Sequence, residues 1–133
     1  MILVDSSAWI EEIRRTGSAS HRSLARLLKH RADIATTEPV MMELLAGVGS
    51  VQELHETRAR LLAFPILRVG GLATYERAAA VWRECRVAGD QLRNKVDCLI
   101  AAVAIREDAS VLHQDRDFDV IARHTPLRIE PVR

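Results

Sequence analysis

Four acidic residues stand where a carboxylate is expected to lie beside buried structure. Asp5 directly follows the apolar run at residues 2–4, and Asp115 follows a second apolar run late in the chain. Glu43 and Asp97 each fall on the apolar stripe of a helical pattern, in which residues three, four and seven positions apart share a face. A carboxylate that faces inward costs several kcal/mol unless a cation compensates it. The four acids therefore favour one shared explanation.

The compensating cation is not supplied by the two helices themselves. Glu43 shares its stripe with Val40 and Leu44, and Asp97 shares its stripe with Ile100, but neither stripe contains lysine or arginine. Carboxylate oxygens without histidine or thiolate are the ligands that hard cations such as Mg²⁺ and Mn²⁺ prefer. Such an ion can recruit a phosphate, orient a water molecule and neutralise charge that develops on a phosphoryl group.

Each acid also has an ordinary structural alternative. Asp5 can cap a helix, and Asp97 can complement the amino terminus of a helix capped by Asn94. Glu43 can pair with an arginine from elsewhere in the fold. Asp115 and the acids that follow it can form a solvated loop. A common metal site explains all four positions together and is the preferred interpretation.

The surrounding pattern predicts the elements that must hold these acids. Short apolar strands alternate with amphipathic helices, which is typical of a parallel sheet covered on both faces. Ligands of such sheets collect at the carboxyl ends of the strands, where Asp5, Asp115 and Asp117 are expected. The predicted strands are 2–4, 34–36, 66–69, 110–113 and 127–129. The predicted helices are 7–15, 21–30, 37–47 with Thr37 as the cap, 51–63, one with a buried stripe of Tyr75, Ala78, Ala79 and Trp82, one that Asn94 caps, and 118–123.

Composition indicates a single globular α/β domain of residues 1–133 in the cytoplasm. The chain has 19 basic and 18 acidic residues, and no apolar run approaches the roughly 20 residues that cross a bilayer. Cys85 and Cys98 lack metal-ligand spacing and are expected to be small apolar fillers. If five acids are set aside as metal ligands, 13 acids remain against 19 basic residues. A modestly basic surface around an acidic pocket is then expected.

Taken in order, the stretches ILVDSSAW, EPVMMELLAG, DCLIAA and HQDRDF resemble the PIN-domain nucleases, specifically the VapC-type toxins of bacterial toxin–antitoxin pairs. The resemblance spans almost the whole chain. It implies a Rossmann-like parallel sheet flanked by helices and an endoribonuclease activity that depends on Mg²⁺, for which Mn²⁺ can substitute. Carried over by position, the family's acidic quartet is Asp5, Glu43, Asp97 and Asp115.

The resemblance also assigns expected roles around that quartet. Asp5, Asp97, Asp115 and Asp117 are expected to hold the metal, with Asp97 and Asp115 the strongest candidates for direct contact. Glu43 is expected to orient or deprotonate the water that attacks a phosphodiester, leaving a 5′-phosphate and a 3′-hydroxyl. The remaining expectations are a supporting hydroxyl at Ser7 and RNA phosphate contacts at Arg93, Lys95 and Arg116.

The implied partners are RNA, an antitoxin and a second copy of the chain. Similar toxins cut structured RNA and inhibit translation, and transfer RNA is favoured here over ribosomal RNA. A VapB-type antitoxin is expected to lie in an apolar groove, for which the candidates are Trp9, Ile13, Leu24 and Leu27; core packing is their alternative.

Three other functions fit the fold class less well. A nucleotide-binding domain needs a glycine-rich turn after the first strand, and DSSAW offers none. A Mg²⁺-dependent phosphatase or phospho-receiver would have a second aspartate two residues after Asp5, where Ser7 stands. A non-catalytic PIN-like binding module stays open, although the complete set of acids argues against it.

Overall fold

Five short parallel strands form the centre of the computed structural model, which describes residues 1–132. The strands are β1 (Ile2–Val4), β2 (Ile34–Thr37), β3 (Ile66–Leu67), β4 (Ser110–Leu112) and β5 (Arg128–Ile129). Their order across the sheet is β3-β2-β1-β4-β5, so the first strand of the chain lies in the middle. The sheet reverses its winding direction at β1, which is where doubly wound sheets bind their ligands.

Seven helices flank this sheet within the described residues. They are α1 (Ser6–Ile13), α2 (Ala19–Lys29), α3 (Glu38–Ala46), α4 (Val51–Leu61), α5 (Leu72–Val87), α6 (Lys95–Arg106) and α7 (Arg116–His124). The helices cover the sheet so completely that Leu3, Val4 and Val111 are fully buried, as a central parallel strand requires. The predicted α/β architecture is confirmed. No helix of residues 1–132 is long and apolar enough to cross a membrane.

Most differences from the predicted elements are shifts of one or two residues at helix and strand ends. Thr37 precedes α3 as predicted, with Pro39 in the first turn, but its side chain makes no capping hydrogen bond. Asn94 does cap α6, because its Oδ1 accepts from the Val96 backbone N–H at 2.9 Å. Cys85 and Cys98 are buried free thiols, as expected of apolar fillers.

The buried face of α5 was predicted correctly only in part. Ala78 is buried and Trp82 packs partly buried against the core, but Tyr75 is 53% exposed and Ala79 is also exposed. The other buried side chains are those of Thr74, Val81 and Cys85. Thr74 tolerates burial because its hydroxyl accepts from Arg106 Nη1 at 2.9 Å.

Candidate metal centre

The two central strands bring their terminal acids to one edge of the sheet. β1 and β4 pair in parallel with Val4 opposite Leu112. The Asp5 backbone N–H then donates to the Leu112 carbonyl at 2.9 Å. Asp5 and the loop that leads to Asp115 therefore leave the sheet side by side, as the sequence predicted from the strand ends.

Three aspartates come together just beyond this edge. Asp97 from the first turn of α6, Asp115 at the amino terminus of α7 and Asp117 in its first turn each offer one carboxylate oxygen, and these oxygens lie within 4.8 Å of one another. Asp97 is 3% exposed and Asp117 is fully buried. The structure thus groups three of the predicted ligands tightly enough for one cation.

Asp5 caps helix α1 and also faces the candidate metal site. Its Oδ2 accepts from the Ser7 backbone N–H at 3.0 Å and from Ser7 Oγ at 2.5 Å. Ser7 Oγ in turn accepts from the Gln114 backbone N–H at 2.9 Å. The structural alternative for Asp5 is therefore correct without excluding a site role. The Ser7 hydroxyl joins the turn after β1 to the loop after β4.

Glu43 lies on α3, half-buried, and approaches the same edge from the other side of β1. Its Oε1 accepts from Ser6 Oγ at 3.1 Å. The contact between Ser6 and Glu43 was not predicted. Its only sequence signal is that Asp5 is followed by two hydroxyl residues rather than one. The two consecutive serines therefore hold two different acids, since Ser7 contacts Asp5 and Ser6 contacts Glu43.

Asp117 also fixes the start of α6. Its Oδ2 accepts from the backbone N–H groups of Arg93 at 2.8 Å and Asn94 at 3.2 Å. These bonds attach the segment before α6 to the first turn of α7 and so set the position of Asp97 relative to Asp115. Asp117 is consequently both a candidate ligand and a positioning residue.

Several carboxylate oxygens at this edge have no hydrogen-bond partner. Asp5 Oδ1, Asp97 Oδ2 and Asp117 Oδ1 are all buried and accept no hydrogen bond within residues 1–132, although Arg93 Nε lies 3.5 Å from Asp117 Oδ1. A buried charged oxygen without a partner is strongly unfavourable. A hard divalent cation would satisfy these atoms together, and the all-oxygen donor set suits Mg²⁺ or Mn²⁺. The residues present therefore fit the predicted metal.

The crowding of acids also changes how they titrate. Burial, together with the negative charges of Asp5 and Asp115, raises the pKa of Asp97 to about 8. Burial likewise raises the pKa of Asp5 to about 6, although its hydrogen bonds to Ser7 act in the opposite direction. The pKa of Glu43 is raised by burial and by the charge of Asp115. The centre therefore favours a bound cation or proton.

The three basic residues predicted to contact RNA differ in their surroundings. Arg93 Nη2 lies 3.1 Å from Asp115 Oδ1, and Arg93 Nε lies 3.5 Å from Asp117 Oδ1. Lys95 Nζ lies 4.4 Å from the centre of the Trp82 ring. Arg116 is exposed on α7. Arg93 thus partly neutralises the acids, while its side chain remains 64% exposed.

A histidine that was not predicted supports the Asp115 loop. His113 Nδ1 accepts from the Asp115 backbone N–H at 3.0 Å, and its Nε2 lies 3.1 Å from Asp119 Oδ1. The ring also packs on Phe118, with 5.2 Å between ring centres. The position of His113 directly after β4 is the one sequence signal that could have identified it. Asp119 contacts this histidine and is not part of the three-aspartate group.

An apolar groove of about 560 Å³ begins beside Glu43 and runs between α1, α3 and α4. Ile13 lines it with an exposed side chain, as predicted, whereas Trp9 lies behind its wall and is fully buried in the core. Leu24 is instead fully buried, and Leu27 is half-buried against the core, so neither lines this groove. Core packing is therefore the correct interpretation for the two leucines of α2.

A second apolar groove of about 560 Å³ lies on the surface where α5 packs against α6. It is lined by the aromatic face that was predicted to be buried, including Tyr75 and Trp82, and by Val96 and Leu99 of α6. Lys95 stands at its end nearest the acids.

Comparison with known proteins gives consistent results from sequence and structure. The PIN domain family model matches residues 2–124. Ribonuclease VapC11 of Mycobacterium tuberculosis is 44% identical over 135 aligned positions, which cover 100% of both chains. The VapC ribonuclease Mb1587 of Mycobacterium bovis has the same identity and coverage.

The solved structures share the fold at lower identity. A VapBC2 structure from Rickettsia felis, bound to a promoter DNA fragment, has a TM-score of 0.70 and 21% identity, covering 98% of both chains. VapC20 of Mycobacterium tuberculosis, described as a sarcin–ricin loop cleaving toxin, has a TM-score of 0.66 and 20% identity, covering 96% of this chain and 99% of that one. These similarities concern the fold.

Proposed function

The chain belongs to the PIN domain family as a VapC-type member, and we propose that its 133 residues form one domain that acts as a Mg²⁺-dependent, site-specific endoribonuclease, the toxin of a toxin–antitoxin pair. The observation that carries the proposal is the group of buried carboxylate oxygens at the sheet edge that accept no hydrogen bond within the described residues. Carboxylates alone would repel a polyanion, so the site makes chemical sense only with a cation. The ribonuclease names of the 44% identical relatives support the same activity.

The proposed division of labour follows the contacts of each acid. Asp97, Asp115 and Asp117 would hold Mg²⁺, or Mn²⁺ in its place, with Asp5 completing the set. A bound divalent ion supplies charge neutralisation at the scissile phosphate and lowers the pKa of a nearby water molecule. Glu43 is the remaining acid and would accept a proton from the attacking water, a role that its burial favours because burial raises the pKa of this carboxylate.

The polar neighbours of these acids keep them in position. The Ser6 hydroxyl holds Glu43, and the Ser7 hydroxyl holds Asp5 against the loop after β4. Groups of this kind, which orient the ligands of a metal, are important for metal affinity and activity. We assign Arg116 and the exposed guanidinium of Arg93 to RNA phosphates beside the acids.

The purified protein is expected to cleave RNA in Mg²⁺ or Mn²⁺ and to lose that activity in EDTA. The measurement is cleavage of bulk transfer RNA and ribosomal RNA, followed by sequencing of the new 5′ ends, with magnesium added back as the control. Cleavage at one site in an anticodon loop is the expected result, because we favour transfer RNA as the substrate and the cytoplasm as the location. Translation would slow as a consequence. Persistent cleavage without divalent metal would contradict the mechanism, and no cleavage with metal would favour a binding module.

We further propose that a VapB-type antitoxin occupies the groove between α1, α3 and α4. The groove combines the exposed apolar side chain of Ile13 with Glu43 in its lining, so a chain lying in it reaches one of the acids. A basic side chain of that chain would then neutralise the centre, as the metal otherwise does. The structural relatives that are VapBC complexes support a partner of this type.

Changing Ile13 to aspartate is expected to weaken antitoxin binding at least about 10-fold, because burying an isoleucine contributes roughly 1.5–3 kcal/mol and a buried carboxylate opposes binding. The measurement is titration calorimetry with the cognate antitoxin, together with RNA cleavage, which should be unchanged. Leu62→Asp is the matched control, since Leu62 is similarly exposed (43% against 48%) and lies outside the groove. Equal affinities of the two variants would rule out this groove as the antitoxin site.

We also propose that the chain forms a homodimer through the groove between α5 and α6. Tyr75 and Leu72 are 53% and 73% exposed on α5, and the groove beside them is mainly apolar. Large exposed apolar side chains that cluster in this way are typical of protein interfaces.

A further inference from the structure

The positive charge of this chain is concentrated in one segment. Residues 13–32 contain no aspartate or glutamate but include six of the 19 lysine and arginine residues. The rest of the chain therefore has 13 basic residues against 18 acidic ones and is negative overall. The net charge of +1 therefore combines a strongly basic segment with a remainder of the chain that is negatively charged.

Most of this segment is helix α2, which presents its charges on one face. Arg22, Arg26 and Lys29 are exposed and lie at spacings of four and three residues, so they follow one side of the helix. We refer to these three residues as the α2 basic stripe. The opposite side packs inward through Ser20 and Leu24, which are buried.

The charges of the stripe are not used to stabilise the fold by ion pairing. Within residues 1–132, none of its three side chains forms an ion pair, whereas Arg60 and Arg128 each pair with an acid. Arg22 does donate to the Gly17 carbonyl and so holds the loop between α1 and α2. Arg26 and Lys29 are left available for an external anion.

Helix α2 begins next to the loop that carries Asp115. Ser20 in its first turn, on the side of the helix opposite the stripe, donates from its Oγ to the His113 carbonyl at 3.0 Å. A cavity of about 490 Å³ is lined by Ser20 together with Asp115 and Arg116. The first residue of the stripe, Arg22, lies two residues further along the helix. At 1.5 Å of rise per residue, the stripe then extends about 10 Å along the helix, away from this end.

We propose that the α2 basic stripe is the docking surface for the RNA backbone that flanks the cleaved bond, an inference that rests on the proposed ribonuclease function. Lysine and arginine side chains at successive turns of a helix can each contact a phosphate, and such contacts supply most sequence-independent affinity for nucleic acids. A membrane-binding helix would instead expose a broad apolar face. Here Leu24 is buried, and Leu27 and Leu28 are half-buried against the core. The helix therefore exposes basic side chains without a broad apolar face that could insert into a membrane.

The stripe is tested by RNA binding in a chain that does not cleave. Asp97→Asn serves as the parent, and Arg26→Gln with Lys29→Gln is added to it, while Arg22 is kept because it holds the loop. The control adds Arg58→Gln with Arg123→Gln, two exposed arginines on α4 and α7 that form no ion pair in the described chain. Bulk transfer RNA is titrated by fluorescence anisotropy from 50 to 300 mM salt, and the folded state is checked by thermal melting.

The stripe variant is expected to bind transfer RNA at least about 10-fold more weakly than the parent and to lose about 1.4 from the slope of log affinity against log salt, since each phosphate contact with a single strand contributes about 0.7. The control variant should keep both values. Equal slopes for the stripe variant and the control would overturn the docking surface while leaving the ribonuclease proposal intact. Failure of the parent to bind RNA would overturn both. Loss of binding to anionic phosphatidylglycerol vesicles, with RNA binding unchanged, would reassign the stripe to a membrane.

Discussion

Asp97→Asn is expected to lower the rate of RNA cleavage by at least about 1000-fold, which corresponds to about 4 kcal/mol of transition-state stabilisation. Asp97 lies in the acidic group, where the negative charges of Asp5 and Asp115 act on it and where it is 3% exposed. Asparagine keeps the size and one oxygen but removes the charge that a divalent cation requires. The loss should therefore be chemical rather than structural.

The structure of the variant should survive because the helix does not depend on Asp97 for its cap. Asn94 supplies that cap through its bond to Val96. The measurement is single-turnover cleavage in Mg²⁺, with circular dichroism as the check on folding. Glu76→Gln, an exposed carboxylate on α5 with no ion pair in the described residues, is the matched control and should cleave normally. Normal cleavage by the Asp97 variant would return this residue to a purely structural role.

The free energy of unfolding in EDTA is expected to fall as pH rises from 5 to 8. Asp97 and Asp5 have folded pKa values of about 8 and about 6, both above the ordinary value of 3.8. Between those limits the folded chain binds more protons than the unfolded chain, so raising the pH favours unfolding. The destabilisation from Asp5 is complete above about pH 6, and that from Asp97 develops up to about pH 8.

Thermal melting across this pH range, with and without Mg²⁺, measures the effect. In EDTA, Asp97→Asn should melt increasingly above the parent as pH rises, since it lacks the charge that burial opposes. A change of 1 kcal/mol corresponds to roughly 4 °C in a domain of this size. Mg²⁺ should raise the melting temperature of the parent at pH 8 and affect the variant less. A pH-independent difference between the two proteins would show that the acids do not share a strained site.

Those acids were predictable because local patterns carry the information. A carboxylate at or within a few residues after the end of a buried strand, as at Asp5 and Asp115, must lie near the carboxyl edge of a parallel sheet. A carboxylate on an apolar stripe, as at Glu43 and Asp97, must face inward. Both rules use only the periodicity of strands and helices, which is why they identified the candidate site without any knowledge of the tertiary contacts. The catalytic and metal-binding roles of these residues stay predictions.

The contacts around the acids could not be predicted in the same way. Ser6 reaches Glu43 across 37 positions of sequence, and Arg93 reaches Asp115 across 22. Such pairs depend on how helices dock, which local periodicity does not encode. The buried face of helix α5 is a related case. It includes Thr74, whose hydroxyl accepts from Arg106 of α6. This contact between two helices is not encoded in the periodicity of α5.

The central position of β1 has a consequence for how this protein is made. Its partners are β2, which begins about 30 residues later, and β4, which begins more than 100 residues later. Pairing over such a separation is slow, because a long loop must close before any contact is gained. A chain still emerging from the ribosome holds Asp5 long before Asp115 and Asp117 exist. Its acids can therefore assemble only after residues 115–117 have been made, so a shorter nascent chain lacks the group of acids.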